Sequence, residues 1–63
     1  MKRIWYLYRC GYNYGSRDRG IDAVKSIQAD AGVEIPKDDV VMALQRGYCQ
    51  IGDYRAVREE VKQ

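Results

Sequence analysis

The side chains in this sequence that could do chemistry are two cysteines, two pairs of adjacent carboxylates and a cluster of tyrosines and arginines, and there is no histidine. Without histidine, the side chain that most often moves protons near neutral pH is missing. A cysteine nucleophile needs a base to activate it, and nothing in the pattern gives Cys10 or Cys49 one. With no histidine to complete a tetrahedral set, a zinc site would have to recruit carboxylates or a second chain. Both cysteines therefore read as reduced, partly buried packing residues, neither metal ligands nor a disulfide. Asp38 and Asp39, and likewise Glu59 and Glu60, are neighbours in sequence, so on a helix they would point about 100° apart and could not share a site. Gly11, Gly15 and Gly20 lack the lysine and hydroxyl residue of a phosphate-cradling loop. The sequence thus offers no catalytic residues and calls for no cofactor or metal, and the expectation is that the chain is not an enzyme.

The stretch from Arg9 to Arg19 points elsewhere. Residues 1 to 20 carry five basic groups against Asp18, a local charge of +4, whereas residues 21 to 63 carry six basic against eight acidic, a local charge of −2. Four of the six tyrosines and the single tryptophan lie in that basic front. Tryptophan, tyrosine and arginine dominate the energetics of protein interfaces, which makes Trp5, Tyr6, Tyr8 and Arg9 the candidate protein-binding residues. The alternative is nucleic acid, with Arg9, Arg17 and Arg19 neutralising phosphates and Tyr12 or Tyr14 stacking on bases.

The elements that must position these residues follow from periodicity. Lys2 to Arg9 is aromatic and β-branched and reads as a strand with large apolar groups on both faces. Gly11 to Gly20 reads as a loop because glycine, asparagine and serine punctuate it. Ile21, Val24, Ile27 and Ala31 form one helical stripe, so a first helix is expected over Gly20 to Ala31, capped by Asp18 or Gly20 and ended by Gly32. Pro36 opens a second helix with Asp38 and Asp39 at the positive end of its dipole, and Gly47 closes it. Tyr48 to Ile51 fits either a short strand or an extended connection. Asp53 reads as the N-cap of a third helix running from Tyr54 to near the C-terminus, with Tyr54, Val57 and Val61 facing inward.

The expected fold is therefore α+β, a single small domain over residues 1–63 with an N-terminal strand, three short helices and at most one further short strand. The alternative is an all-α three-helix module with an extended N-terminal arm. A domain of this size buries only about 60% of the surface its unfolded chain exposes. Ile4 to Tyr8 is too short for the ~20 residues of a membrane span or for the apolar core of an export signal, so no membrane association and a cytoplasmic location are expected.

Ile27, Ala31, Gly32 and Val33 resemble the first helix and turn of a DNA-binding helix-turn-helix. The would-be recognition helix, however, begins Pro36-Lys37-Asp38-Asp39 and would meet phosphates with carboxylates. Ala43-Leu44 and Ala56-Val57 resemble the paired core positions of ubiquitin-associated-type three-helix modules, which would imply an all-helical fold. In type the chain is similar to short accessory proteins of phages and prophages, a resemblance that implies binding to and regulation of another protein. The expectation is a non-enzymatic module that binds and modulates a partner protein and forms a homodimer through its N-terminal strand, by edge pairing or by burial of its aromatic face.

Overall fold

A computed structural model describes residues 2–61. Its described elements are β1 (Lys2–Arg9), β2 (Tyr12–Arg17), α1 (Gly20–Ala31), α2 (Lys37–Arg46), β3 (Tyr48–Ile51) and β4 (Tyr54–Val61). The four strands form one antiparallel sheet in the order β2-β1-β4-β3. Two hairpins thus supply the sheet, and the pair of helices carries the chain from one sheet edge to the other.

Both hairpins are built on backbone that favours glycine. Arg9 pairs with Tyr12 across Cys10 and Gly11, both at positive φ (50° and 85°), which is the requirement of a two-residue type I′ turn. Ile51 pairs with Tyr54 across Gly52 and Asp53, and only Gly52 has positive φ (57°), as in a type II′ turn. The two tips are tied together by the Cys10 N–H donating to the Asp53 carbonyl at 2.9 Å.

The helices α1 and α2 form where the apolar stripes require them. Gly32 and Gly47 end them in the left-handed conformation (φ 71° and 76°), and Pro36 sits at the start of α2. The residue at the N-cap of α1 is Arg19, and no side chain closes that end; neither Asp18 nor Gly20 serves as the expected cap. Both helices lie on one face of the sheet. Trp5 and Leu7 from β1, Cys49 and Ile51 from β3, and Ala56 from β4 meet Ala23, Val24 and Ile27 of α1 and Ala43 of α2 in a single buried core. Leu7, Val24 and Ile27 are fully enclosed, each burial contributing roughly 1.5–3 kcal/mol.

The expectation of three helices is overturned, and with it the all-α alternative and the ubiquitin-associated likeness. The segment expected as a third helix is β4, and the segment expected as a loop holds β2. Tyr54, Val57 and Val61 do fall at helical spacing, but Ala56 is buried at 0% exposure and is directly opposite Leu7 and Cys49. A period of two therefore governs the segment, and the Gly52-Asp53 pair that could cap a helix is a hairpin turn instead. The last two residues, near which the expected helix would have ended, lie outside the described residues. Tyr48 to Ile51, left open by the sequence, is a strand. In β2 the expected loop residues pair with β1, with a register shift between Leu7 and Tyr8 that accommodates Tyr14; such a bulge bends the edge and hides the simple alternation.

Candidate functional site: the uncovered face of the sheet

Strand alternation sends successive side chains to opposite faces. Register then assigns each one. Trp5 is paired with Arg58, Leu7 with Ala56 and Arg9 with Tyr54, and these point to the helices. Ile4, Tyr6 and Tyr8 of β1 point the other way, beside Glu59, Val57 and Arg55 of β4. Tyr48 and Gln50 of β3 continue that second face, because they pair with Val57 and Arg55. Ser16 extends it on β2, opposite Tyr6. A row Ser16, Tyr6, Val57, Tyr48 therefore crosses all four strands at right angles to them.

No described element covers this face. Ile4, Tyr6, Tyr8, Tyr48, Val57 and Val61 remain only partly buried there, sheltered by one another rather than by a second layer. The Arg55 guanidinium carbon lies 5.0 Å from the centre of the Tyr8 ring, a distance at which cation and ring attract. The Arg55 Nε–H is buried and has no acceptor among the described residues, and Arg55 makes no ion pair among them. Tyr48 donates its hydroxyl to Gln50. Glu59, two residues from Val57 on the side away from Arg55, is exposed.

The sequence-derived candidates separate on this geometry. Of Trp5, Tyr6, Tyr8 and Arg9, only Tyr6 and Tyr8 share the uncovered face. Trp5 is in the core at 4% exposure, with its ring 5.9 Å from the Arg58 guanidinium carbon. Arg9 is on the helix side, its guanidinium carbon 5.6 Å from the Tyr54 ring centre.

The alternative set lies off this face. Tyr12 is 79% exposed at the tip of the first hairpin. Tyr14 donates its hydroxyl to Asp30 Oδ2 at 2.7 Å and packs edge-on against Tyr54 with ring centres 6.0 Å apart. Burial first, and then that carboxylate, push its pKa from 10.0 up to about 12. Arg17 is held over α1, Nε donating to Ser26 Oγ at 3.1 Å and Nη1 to the Ser16 carbonyl at 2.7 Å. Arg19 is exposed at the opposite end of the first hairpin from Arg9 and Tyr12, where with Arg3 and Arg58 it rims a hollow beside Trp5. Arg9 and Tyr14 thus adjoin the same Tyr54 ring, Tyr14 and Arg17 both reach α1 from β2, and Arg19 stands apart at the far end; none of the set joins the uncovered face.

The two cysteines stand apart from this face and from each other. Cys10 is exposed in its turn and Cys49 is buried; desolvation raises the Cys49 thiol pKa, with Arg46 opposing. No group of three or more histidine, cysteine, aspartate or glutamate residues comes together among the described residues. No described helix is long and apolar enough to cross a membrane.

Strand alternation along β1 already groups Ile4 with Tyr6 and Tyr8, but Tyr48, Arg55, Val57 and Glu59 were missed as their surface partners. The signal that could have found them is the alternation Arg55, Val57, Glu59, Val61 against Tyr54, Ala56, Arg58, Glu60, read together with a glycine-first hairpin turn at Gly52-Asp53. No protein-family model matches the chain, and neither a curated protein nor a solved structure matches it.

Proposed function

We propose that the chain is a non-enzymatic interaction module that binds another protein chain through the uncovered face of its sheet and acts by occupying the surface it binds. One observation carries this reading: the two-layer fold leaves an aromatic and apolar centre, Ile4, Tyr6, Tyr8, Tyr48 and Val57, without a cover, edged by Ser16, Gln50, Arg55 and Glu59. An apolar aromatic centre with a polar rim is the anatomy of a protein interface. Its tyrosines are amphipathic anchors that lose little side-chain freedom on binding.

A nucleic-acid target is served less well. The charges on this face are few and of both signs, while the arginines that could meet phosphates are spread over the helix side and the two ends of the first hairpin. A photo-crosslinking amino acid placed at Tyr8, and separately at the exposed helix position Val41, tests the reading in the source cells. The expected result is nuclease-resistant protein adducts from position 8 and none from position 41. Adducts that vanish with nuclease, or adducts from position 41 alone, would overturn it.

A further inference from the structure

We infer that the chain occupying this face is a second copy of the same protein, packed sheet to sheet about a two-fold axis that runs along the row Ser16, Tyr6, Val57, Tyr48. The inference rests on the proposed function and names its partner. A closed dimer interface places each surface patch against its own copy, so the patch must be complementary to itself. This face meets that condition in detail. On β4, Arg55 and Glu59 stand two residues to either side of Val57, on the same face. A two-fold axis lying in the interface, perpendicular to the strands and passing over Val57, reverses β4 onto its copy. It therefore sets Arg55 of one protomer against Glu59 of its partner, twice.

The same operation sets Tyr8 against Ile4 on β1, because Tyr6 is paired with Val57 and lies on the axis. Tyr6, Val57 and Tyr48 then meet their own copies at the centre. Aligned sheets pack with strand directions about 30° apart. Two residues from the axis that rotation displaces facing positions by only about 3–4 Å, well within the reach of arginine and glutamate side chains.

Charge and area both fit this occupant. Covering the face would remove Arg55 from water, which is costly for a charge unless a carboxylate accompanies it. Within one protomer Glu59 cannot serve, since four strand residues separate the two by roughly 13 Å. The partner's copy of Glu59 can. Strands of four to eight residues spaced about 4.8 Å apart give a footprint whose accessible area, counted over both protomers, is on the order of 1,000 Å², the lower bound for a specific interface. The strand edges offer no equivalent for β1, which is bonded to β2 on one side and β4 on the other; dimerisation by edge pairing of the N-terminal strand is therefore closed.

Sedimentation velocity of the purified full chain over a concentration series tests this, using Arg55→Glu, Glu59→Arg and the double variant that exchanges the two charges. Wild type is expected to dimerise. Each single variant should set like charges against each other and raise the dissociation constant by on the order of tenfold or more. The double variant restores opposite charges across the axis and should return to within about threefold of wild type. Because the two side chains cannot reach each other within a protomer, that rescue has no intramolecular explanation. Circular dichroism melting of every variant separates lost association from lost folding. A wild-type chain that stays monomeric at several hundred micromolar overturns the inference, as does a folded double variant no tighter than the singles. Adducts to a different protein from position 8, with the purified chain monomeric, would overturn the second copy and leave the proposed function standing. No protein adducts at all would remove both.

Discussion

Replacing Gly20 with alanine should destabilise the fold by about 1–2 kcal/mol, opposite in sign to what helix propensity alone would give. Alanine is favoured over glycine in a helix by up to about 1 kcal/mol. Gly20, however, is the first residue of α1 and lies where that helix meets the sheet. A Cβ there would stand 2.7 Å from Leu44 Cδ2 and 2.9 Å from both Cε2 and Cζ2 of Trp5. The Leu44 side chain can turn aside. The Trp5 ring cannot move cheaply, because it is 4% exposed and lies within the core. Relief therefore comes from lifting the start of α1 off β1, and overpacking of this kind costs roughly 1–3 kcal/mol. Only part of the propensity gain applies at the first helical position, so strain prevails. For a domain of this size the urea dependence of stability is about 1 kcal/mol/M, and the unfolding midpoint should fall by roughly 1–2 M. Gly32→Ala makes a useful contrast, since a Cβ at Gly32 meets nothing within 4 Å and only its φ of 71° opposes the change. A Gly20→Ala chain with an unchanged or raised midpoint would refute the close approach of α1 to Trp5.

Further outcomes follow from the same structure. Tyr14 has a folded-state pKa raised from 10.0 to about 12; its contribution to stability is intact below pH 10 and is lost as pH rises toward 12, because the unfolded chain ionises first. Tyr14→Phe should flatten that part of the stability profile and cost about 0.5–1 kcal/mol near pH 7 through the lost hydrogen bond to Asp30, a small effect because the ring is 43% exposed. In the native chain a thiol-specific disulfide reagent should label Cys10 rapidly and Cys49 only on unfolding, since one thiol is exposed and the other buried; equal rates would contradict the core. Gly52→Ala should cost roughly 1–2 kcal/mol by forcing a side chain into the left-handed region, whereas Asp53→Ala should change stability by less than about 0.5 kcal/mol, because Asp53 caps no helix. Denaturant titration of the two variants checks the pair.

How far the fold was legible depended on whether local and long-range preferences agreed. Along α1 and α2 they did. Ile21, Val24 and Ile27 recur at one helical spacing, and Gly32, Pro36 and Gly47 mark ends that the structure places within a residue of where local chemistry puts them. Along β4 they conflicted, for Tyr54, Val57 and Val61 satisfy a helical stripe while Ala56 and Arg58 satisfy a strand. Pairing with both β1 and β3 decided the matter, and the β1 partner lies some fifty residues away in the chain, beyond the reach of local periodicity. β2 was hidden differently, because Gly15 and Ser16 resemble loop residues and the bulge at Tyr14 breaks the alternation. The site inherited these errors. Tyr6 and Tyr8 were legible from composition, but Arg55, Val57 and Glu59 join them only when β4 lies beside β1. Trp5 has the composition of an interface anchor and is enclosed because its register turns it toward the helices.

Hydroxyl-radical footprinting in the source cells asks whether the uncovered sheet face is the surface this protein uses. Tyr6 and Tyr8 report on that face, and Tyr12, 79% exposed at the hairpin tip, serves as the internal reference. Tyr6 and Tyr8 should react several-fold less, relative to Tyr12, in cells than in purified chain diluted to nanomolar concentration, where a modest interface dissociates. Unchanged ratios, or protection of Tyr12 with Tyr6 and Tyr8 still reactive, would contradict it and place the working surface at the hairpin tip.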